Sequence, residues 1–195
     1  MRSFEVESRG VVSCAVLAVA EGGRLTIGAR AGSVNVRAGR PGFVEVTLRC
    51  PGPLPAPALE VGREGDDVFV EALAAPIARW LARWASRGVE LEVSVPARYS
   101  VDVETRTGRV EVHGIDGEVD ARSEGGHLRF CNVRGPIDGR TRRGSIDVSD
   151  CRGDVDVATA RGTIEIQNVE GQISAHTRGG SFQIESVRGS VLAFA

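Results

Sequence analysis

The sequence predicts an all-β protein: a β-solenoid of the parallel β-helix kind, with 18-residue coils and one short amphipathic helix. Three observations carry that prediction. Gly108, Gly126, Gly144, Gly162 and Gly180 stand 18 residues apart, and Gly117, Gly135, Gly153, Gly171 and Gly189 lie midway between them. Apolar residues keep the same clock. Val110, Leu128, Ile146, Ile164 and Phe182 form one row, and Val112, Phe130, Val148, Ile166 and Ile184 form the next. Ile115, Val133, Cys151, Val169 and Val187 make a third row, and Val119, Ile137, Val155, Ile173 and Val191 a fourth. Alternation inside a fixed longer period means that short strands stack coil on coil.

Residues two apart on a strand share one face, so these rows point inward. Each coil supplies two short strands and lies about 4.8 Å from the next. Glycine at each corner implies a backbone shape that a side chain would resist. The row Glu111, Arg129, Asp147, Glu165 and Gln183 is polar and faces out. A single coil cannot bury its own inner face, so stability comes from its neighbours.

The chain of 195 residues is expected to be one domain, with irregular strands, a hairpin and the helix over 1–89 and regular coils over 90–195. Aromatic residues make up only 5%, and Gly numbers 25, which suits small strands and tight turns. The net charge is −2, which excludes a global basic field for nucleic acid. All 24 basic residues are arginine. Cys14, Cys50, Cys131 and Cys151 form no Cys-x-x-Cys and no zinc spacing. Cys151 stands in an inward row, as a small buried hydrophobe would. A disulfide to Cys131 is disfavoured, because the two differ by two places in the repeat.

In chain order, Phe4 and Val6 alternate as a first strand. Residues 11–20 are apolar and end in a small-x-small pattern, as a signal peptide can. Glu5 and Glu7 in the would-be basic region favour a core strand instead. No segment approaches the roughly 20 apolar residues of a membrane span. Residues 23–40 repeat the glycine and apolar offsets as a degenerate early coil, in which Arg30 breaks the pattern. Residues 43–48 form a strand, and the proline-rich 51–57 a loop. Residues 58–61 and 68–72 pair as a hairpin. Pro76 opens the helix and Gly88 ends it. Ile77, Trp80, Leu81 and Trp84 share one face, with Arg79, Arg83 and Arg87 off it. Trp80 and Trp84 either cover an open flank of the solenoid, the preferred reading, or meet a membrane surface or partner.

The run VELEVSVPARYSVDVETRTGRVEVHGIDGEVDARSEGGHLRF resembles the bacterial putative-adhesin family, a domain of unknown function. A strand ending in Val-Pro leads into Gly-x-Val-x-Val units separated by Gly-x-Val strands. The resemblance covers residues 90–195 well and 20–50 weakly. It implies a β-solenoid, often in envelope-associated or regulatory settings, and brings no catalytic residues.

No catalytic, metal-binding or cofactor-binding residue is assigned. Asp120, Asp138 and Asp156 form an outward row that Arg122 and Arg140 can neutralise; the alternative is a calcium-dependent β-roll, whose Gly-Gly-x-Gly-x-Asp string is absent. Arg140, Arg142, Arg143, Arg161 and Arg178 cluster at corners, where an anionic glycan or phosphate is weighed against plain solubility. His113, His127 and His176 occupy different repeat positions. Ser123 and Ser145 lack an evident His/Asp pairing. The expectation is a non-enzymatic structural or protein-interaction module. A carbohydrate-binding or carbohydrate-cleaving β-helix is the alternative. A cytoplasmic location is expected, with an envelope-associated or secreted one as the alternative.

The last coil differs. Two outward polar rows end in Leu192 and Phe194, and the sequence stops at Ala195. These residues predict a homo-oligomer formed through this end, as a symmetric pair or a filament. The other outcome is Phe194 curling under its own core. A further protein partner stays open, and no nucleic acid is expected.

Overall fold

A computed structural model describes residues 11–30, 32–50, 58–73 and 89–194. They form β1 (Val11–Ala18), β2 (Arg24–Ala29), β3 (Ser33–Ala38), β4 (Phe43–Cys50), β5 (Ala58–Glu64) and β6 (Asp67–Leu73). Then come β7 (Glu90–Val95), β8 (Ser100–Thr105), β9 (Val110–His113), β10 (Val119–Ser123), β11 (Leu128–Cys131) and β12 (Ile137–Arg143). The last are β13 (Ile146–Ser149), β14 (Val155–Arg161), β15 (Ile164–Glu170), β16 (Ile173–Thr177), β17 (Phe182–Arg188) and β18 (Val191–Phe194). Among the described residues there is no helix. The helix expected over 76–88, with Trp80 and Trp84, lies outside the described residues, as does the loop 51–57.

The strands make two nine-stranded sheets. The first runs β1-β4-β7-β3-β9-β11-β13-β15-β17, and the second β18-β16-β14-β12-β10-β8-β2-β6-β5. From β8 onward the chain alternates between the sheets, one strand in each per circuit. Among these strands every parallel partner is the residue 18 places away: Val119 meets Ile137, and Leu128 meets Ile146. All four predicted inward rows are buried from Val110 through Ile173. The final circuit departs from this. Phe182, Ile184 and Val187 are only partly buried, and Val191 is 42% exposed. These residues have the inward phase but a neighbouring circuit on one side only.

Two inward rows of the second sheet escape the sequence pattern because they are not uniformly apolar. One is Val103, Ala121, Gly139, Val157 and Ala175. The ring of Phe130 occupies the space where a Gly139 side chain would be, so a large residue on one sheet offsets a missing one on the other. The other row is Thr105, Ser123, Thr141, Thr159 and Thr177, all buried. Four of the five hydroxyls have a hydrogen-bond partner, and that of Thr177 has none. Thr141 Oγ1 donates to the Gly126 carbonyl at 3.0 Å, and Thr159 Oγ1 to that of Gly144 at 3.0 Å. Such partners offset most of the cost of burying a hydroxyl.

The glycine clock has the expected cause at some corners, such as Gly108 and Gly153 with φ of 120 and 138°, and a second cause at others. Gly144 has no left-handed φ, yet a Cβ there would collide with the Gly126 carbonyl oxygen one circuit earlier. Close backbone stacking therefore excludes side chains from this column. A further left-handed position recurs at Asn132, Asp150 and Asn168, with φ of 53, 55 and 51°. Asn and Asp visit that region more readily than other residues bearing a Cβ. Asn168 Nδ2 also donates to Asp150 Oδ1, 2.6 Å away and one circuit back.

Residues 23–40 do form a circuit, β2 plus β3, but half a period out of the expected phase. Leu25 pairs with Val101, and Val34 with Val110. Gly23 thus stacks in the second glycine column and Gly32 in the first. In that phase Arg30 is exposed in the same row as Arg106 and Arg142, so it breaks no pattern. This circuit also sits between later ones. β2 pairs with β6 and β8, and β3 with β7 and β9, all parallel. Beyond it the pattern reverses: β1 and β7 pair antiparallel with β4, and β5 pairs antiparallel with β6. Residues 11–18 form a strand as expected, but at the sheet edge, and residues 13–18 alternate between half-buried and exposed, with Val16 56% exposed, rather than lying in the core.

Candidate functional site on the outer face of the second sheet

Parallel in-register stacking sets residues 18 apart side by side on the outer face of the second sheet, and at one position they are alike. Asp102, Asp120, Asp138 and Asp156 lie side by side on β8, β10, β12 and β14. Four carboxylates spaced by about 4.8 Å repel one another. Two arginines of the next outward row compensate. Arg122 reaches Asp120 at 2.7 Å; Arg140 reaches Asp138 at 2.9 Å and Asp156 at 3.5 Å. Compensation is incomplete, for Oδ1 of Asp120 and of Asp138 are buried without a hydrogen-bond partner. Burial pushes the Asp120 carboxyl above its ordinary range; Arg122 draws it down, and Asp138 and Asp102 add to the rise. Among the described residues no group of three His, Cys, Asp or Glu side chains is placed to hold a metal ion.

Along the ends of the same strands runs a shallow groove of about 820 Å³. Its wall includes Arg122, Arg140, Arg142, His176, Arg178 and Phe194, and its lining includes the half-buried Ala158 and Ala160. On the opposite side of the Asp ladder a smaller groove of about 300 Å³ is acidic, with Asp138, Asp154 and Asp156. The face is thus acidic where the strands begin, while at their ends the arginines of the larger groove outnumber Glu104 and Glu124, which also line it.

The remaining sequence candidates do not converge. Ser123 belongs to the buried hydroxyl row, its Oγ accepting from the Gly126 N–H at 2.9 Å. His127 and Ser145 are neighbours one circuit apart, a proximity the sequence reading missed. The contact is the Ser145 backbone N–H donating to His127 Nδ1 at 3.3 Å, and it does not activate the hydroxyl. All four cysteines are free, and burial raises the Cys151 thiol to about 11. Leu192 and Phe194 are 57% and 53% exposed on β18. Phe194 does not curl under the core; its ring stacks on His176 with centroids 5.0 Å apart.

No protein-family model matches the chain, and no curated protein matches it in sequence. Its structure is similar to that of a putative adhesin from Bacteroides fragilis, at 10% identity and TM-score 0.39, covering 94% of this chain and 96% of that one. It is also similar to a putative cell adhesion protein from Clostridium sporogenes, at 7% identity and TM-score 0.41, covering 94% and 100%. A putative adhesin from Parabacteroides distasonis follows, at 10% identity and TM-score 0.38, covering 97% and 99%. At these values the likeness assigns no residue a role.

Proposed function

We propose that this chain is a non-catalytic, adhesin-like interaction module, a β-solenoid that associates with a second copy of itself through its final circuit. The observation that carries the reading is the asymmetry of the two ends. At one end the sheets finish in antiparallel pairs, β1 on β4 and β5 on β6. At the other, β17 and β18 continue the parallel stack; like β1 and β5 they pair on one side only, but here the inward-phase Phe182, Ile184, Val187 and Val191 are left only partly covered. Both open edges lie together there, beside the exposed Val191, Leu192 and Phe194. An edge with unpaired backbone groups and apolar side chains is a template for strand pairing. A two-fold axis through that end would bring both edges of one copy onto their equivalents, which closes the assembly as a dimer.

An adhesin-like role belongs in the envelope or outside the cell, the second of the two locations drawn from the sequence. The reading is supported by the ladders, which present repeated surfaces instead of one convergent cluster of acid, base and nucleophile. Light scattering on the wild type and on a Leu192→Asp, Phe194→Arg variant tests the interface. A dimeric wild type and a monomeric variant are expected. A monomeric wild type, or a variant that keeps the wild-type mass, overturns it.

A further inference from the structure

The corner where second-sheet strands hand over to the first sheet is basic on three consecutive circuits. Arg142 and Arg143 end β12, Arg161 ends β14, and Arg178 follows β16. All four are exposed. Among the described residues none of them stands in an ion pair, whereas Arg106, Arg122 and Arg140 on the same sheet do. Arg143 and Arg161 are direct register partners. Like charges placed side by side on neighbouring strands repel, and an anion between them would relieve that. Between Arg142 and Arg178 the same row carries Ala160, and the next outward row carries Ala158 between Arg140 and His176. The two alanines make a half-buried apolar saddle in the groove wall. Arginines stand on both flanks, two circuits or about 10 Å apart.

We propose that this saddle binds an acidic polysaccharide of the uronate type. The apolar face of one sugar ring rests on Ala158 and Ala160. Carboxylates of that ring and its neighbours pair with Arg142 and Arg178 in the groove and with Arg161 at the corner beside it, and the planar guanidinium groups match a carboxylate in bidentate fashion. The open groove lets the polymer continue along the circuits. A nucleic acid fits less well for two reasons. A duplex carries one charge per about 1.7 Å and would press against the adjacent Asp ladder. Single strands need free aromatic faces, and the aromatic ring in this groove, that of Phe194, is already stacked on His176. The inference rests on the non-catalytic reading, in that the polymer is held and not cut.

The test is calorimetric titration of the whole chain with polygalacturonate oligomers, with neutral dextran and poly-dT as comparators. Polygalacturonate is expected to bind, and more weakly as salt rises. Dextran should not bind. An Arg142→Ser, Arg161→Ser, Arg178→Ser variant should lose affinity on the order of tenfold or more. Ala160→Glu keeps every arginine, fills the saddle with negative charge and should lose binding alike. Arg129→Ser with Arg134→Ser, away from this corner, should change nothing. No binding by the wild type, undiminished binding by both saddle variants, or tighter binding of poly-dT overturns the proposal. Oligomer length after incubation is read separately: shortened chains overturn the non-catalytic reading and leave the site in place. The mass of the saddle variants reports on the β18 interface independently.

Discussion

Residues 100–194 and residues 11–95 use the same inner geometry but reach it by different routes. In the later region each circuit stacks on the one before it in sequence, and glycines at both corners allow backbones to touch. In the earlier region a complete circuit, β2 with β3, is flanked on both sides by strands made later. The glycine columns explain the contrast. Gly23 and Gly32 supply both corner positions for that one circuit. Residues 43–50 and 58–73 do not continue the two 18-residue glycine series, and there the chain pairs antiparallel. Parallel stacking at this closeness thus depends on an unobstructed corner, and without one the sheets end in antiparallel pairs. Tyr99, fully buried beside Gly23 and hydrogen-bonded to the Asp66 carbonyl, stands at the junction of the two regions.

Comparing a glycine from each region should give the largest effect. Gly144→Ala drives a methyl into the Gly126 carbonyl, and both circuits must separate. A loss of about 3 kcal/mol or more is expected, because the clash is with backbone that cannot rotate away. Gly65, in the β5–β6 turn, has φ 63° and open space around it. Gly65→Ala meets only the left-handed backbone penalty, about 1 kcal/mol. Chemical denaturation of both variants measures the difference. Equal losses would mean that corner stacking is not what separates the two regions.

These residues also show what the sequence made legible. The glycine spacing and the Val/Ile rows disclosed the register of residues 108–194, because period and burial agree there. The phase of residues 23–40 was misread for a physical reason: the corner columns lie nine residues apart, so a half-circuit slip looks the same over one repeat. Only the partners Val101 and Val110 resolve it. The hydroxyl row stayed hidden because Thr and Ser read as surface until a carbonyl is seen to accept from them. The basic saddle was half visible: the arginines were noted as a corner cluster, but Ala158 and Ala160 gain meaning only when stacked between neighbouring circuits. The crossing of β2 and β3 leaves no trace in spacing at all.

A second comparison lies within the later region and should be smaller. Thr159 Oγ1 donates to the Gly144 carbonyl at 3.0 Å, while the buried Thr177 Oγ1, one circuit on, has no partner. Thr159→Val removes a made hydrogen bond and should cost about 1 kcal/mol. Thr177→Val replaces an unsatisfied hydroxyl by a methyl of similar size and should be neutral or stabilising. Melting temperatures of the two variants decide it. An equal loss in both would show that the hydroxyl row is held by packing and not by its hydrogen bonds.

The smallest expected effect concerns the Asp ladder, and it depends on pH. The folded Asp120 carboxyl titrates above its ordinary value of 3.8, with desolvation as the main cause and the neighbouring Asp138 and Asp102 adding to it. The groups facing it are those two carboxylates, Arg122 on its own strand and Arg140 on β12. A raised folded value means that the native state holds the proton more tightly than the unfolded chain. The stabilisation is therefore fully present below the unfolded value and is lost as pH rises through the folded one. At neutral pH the ladder carries the full repulsion and the unpaired Oδ1. Asp120→Asn removes that charge while keeping the side chain's shape. The variant should melt above wild type at pH 7, with the difference shrinking as pH falls through the raised folded value and vanishing below the ordinary value of 3.8. Asp102→Asn should raise wild-type stability at pH 7 by less, since it removes one of the two repelling neighbours and leaves Asp120 buried. A wild-type advantage at pH 7 would mean that the Arg122 contact outweighs desolvation and repulsion together, and the ladder would then be a stabilising element at neutral pH.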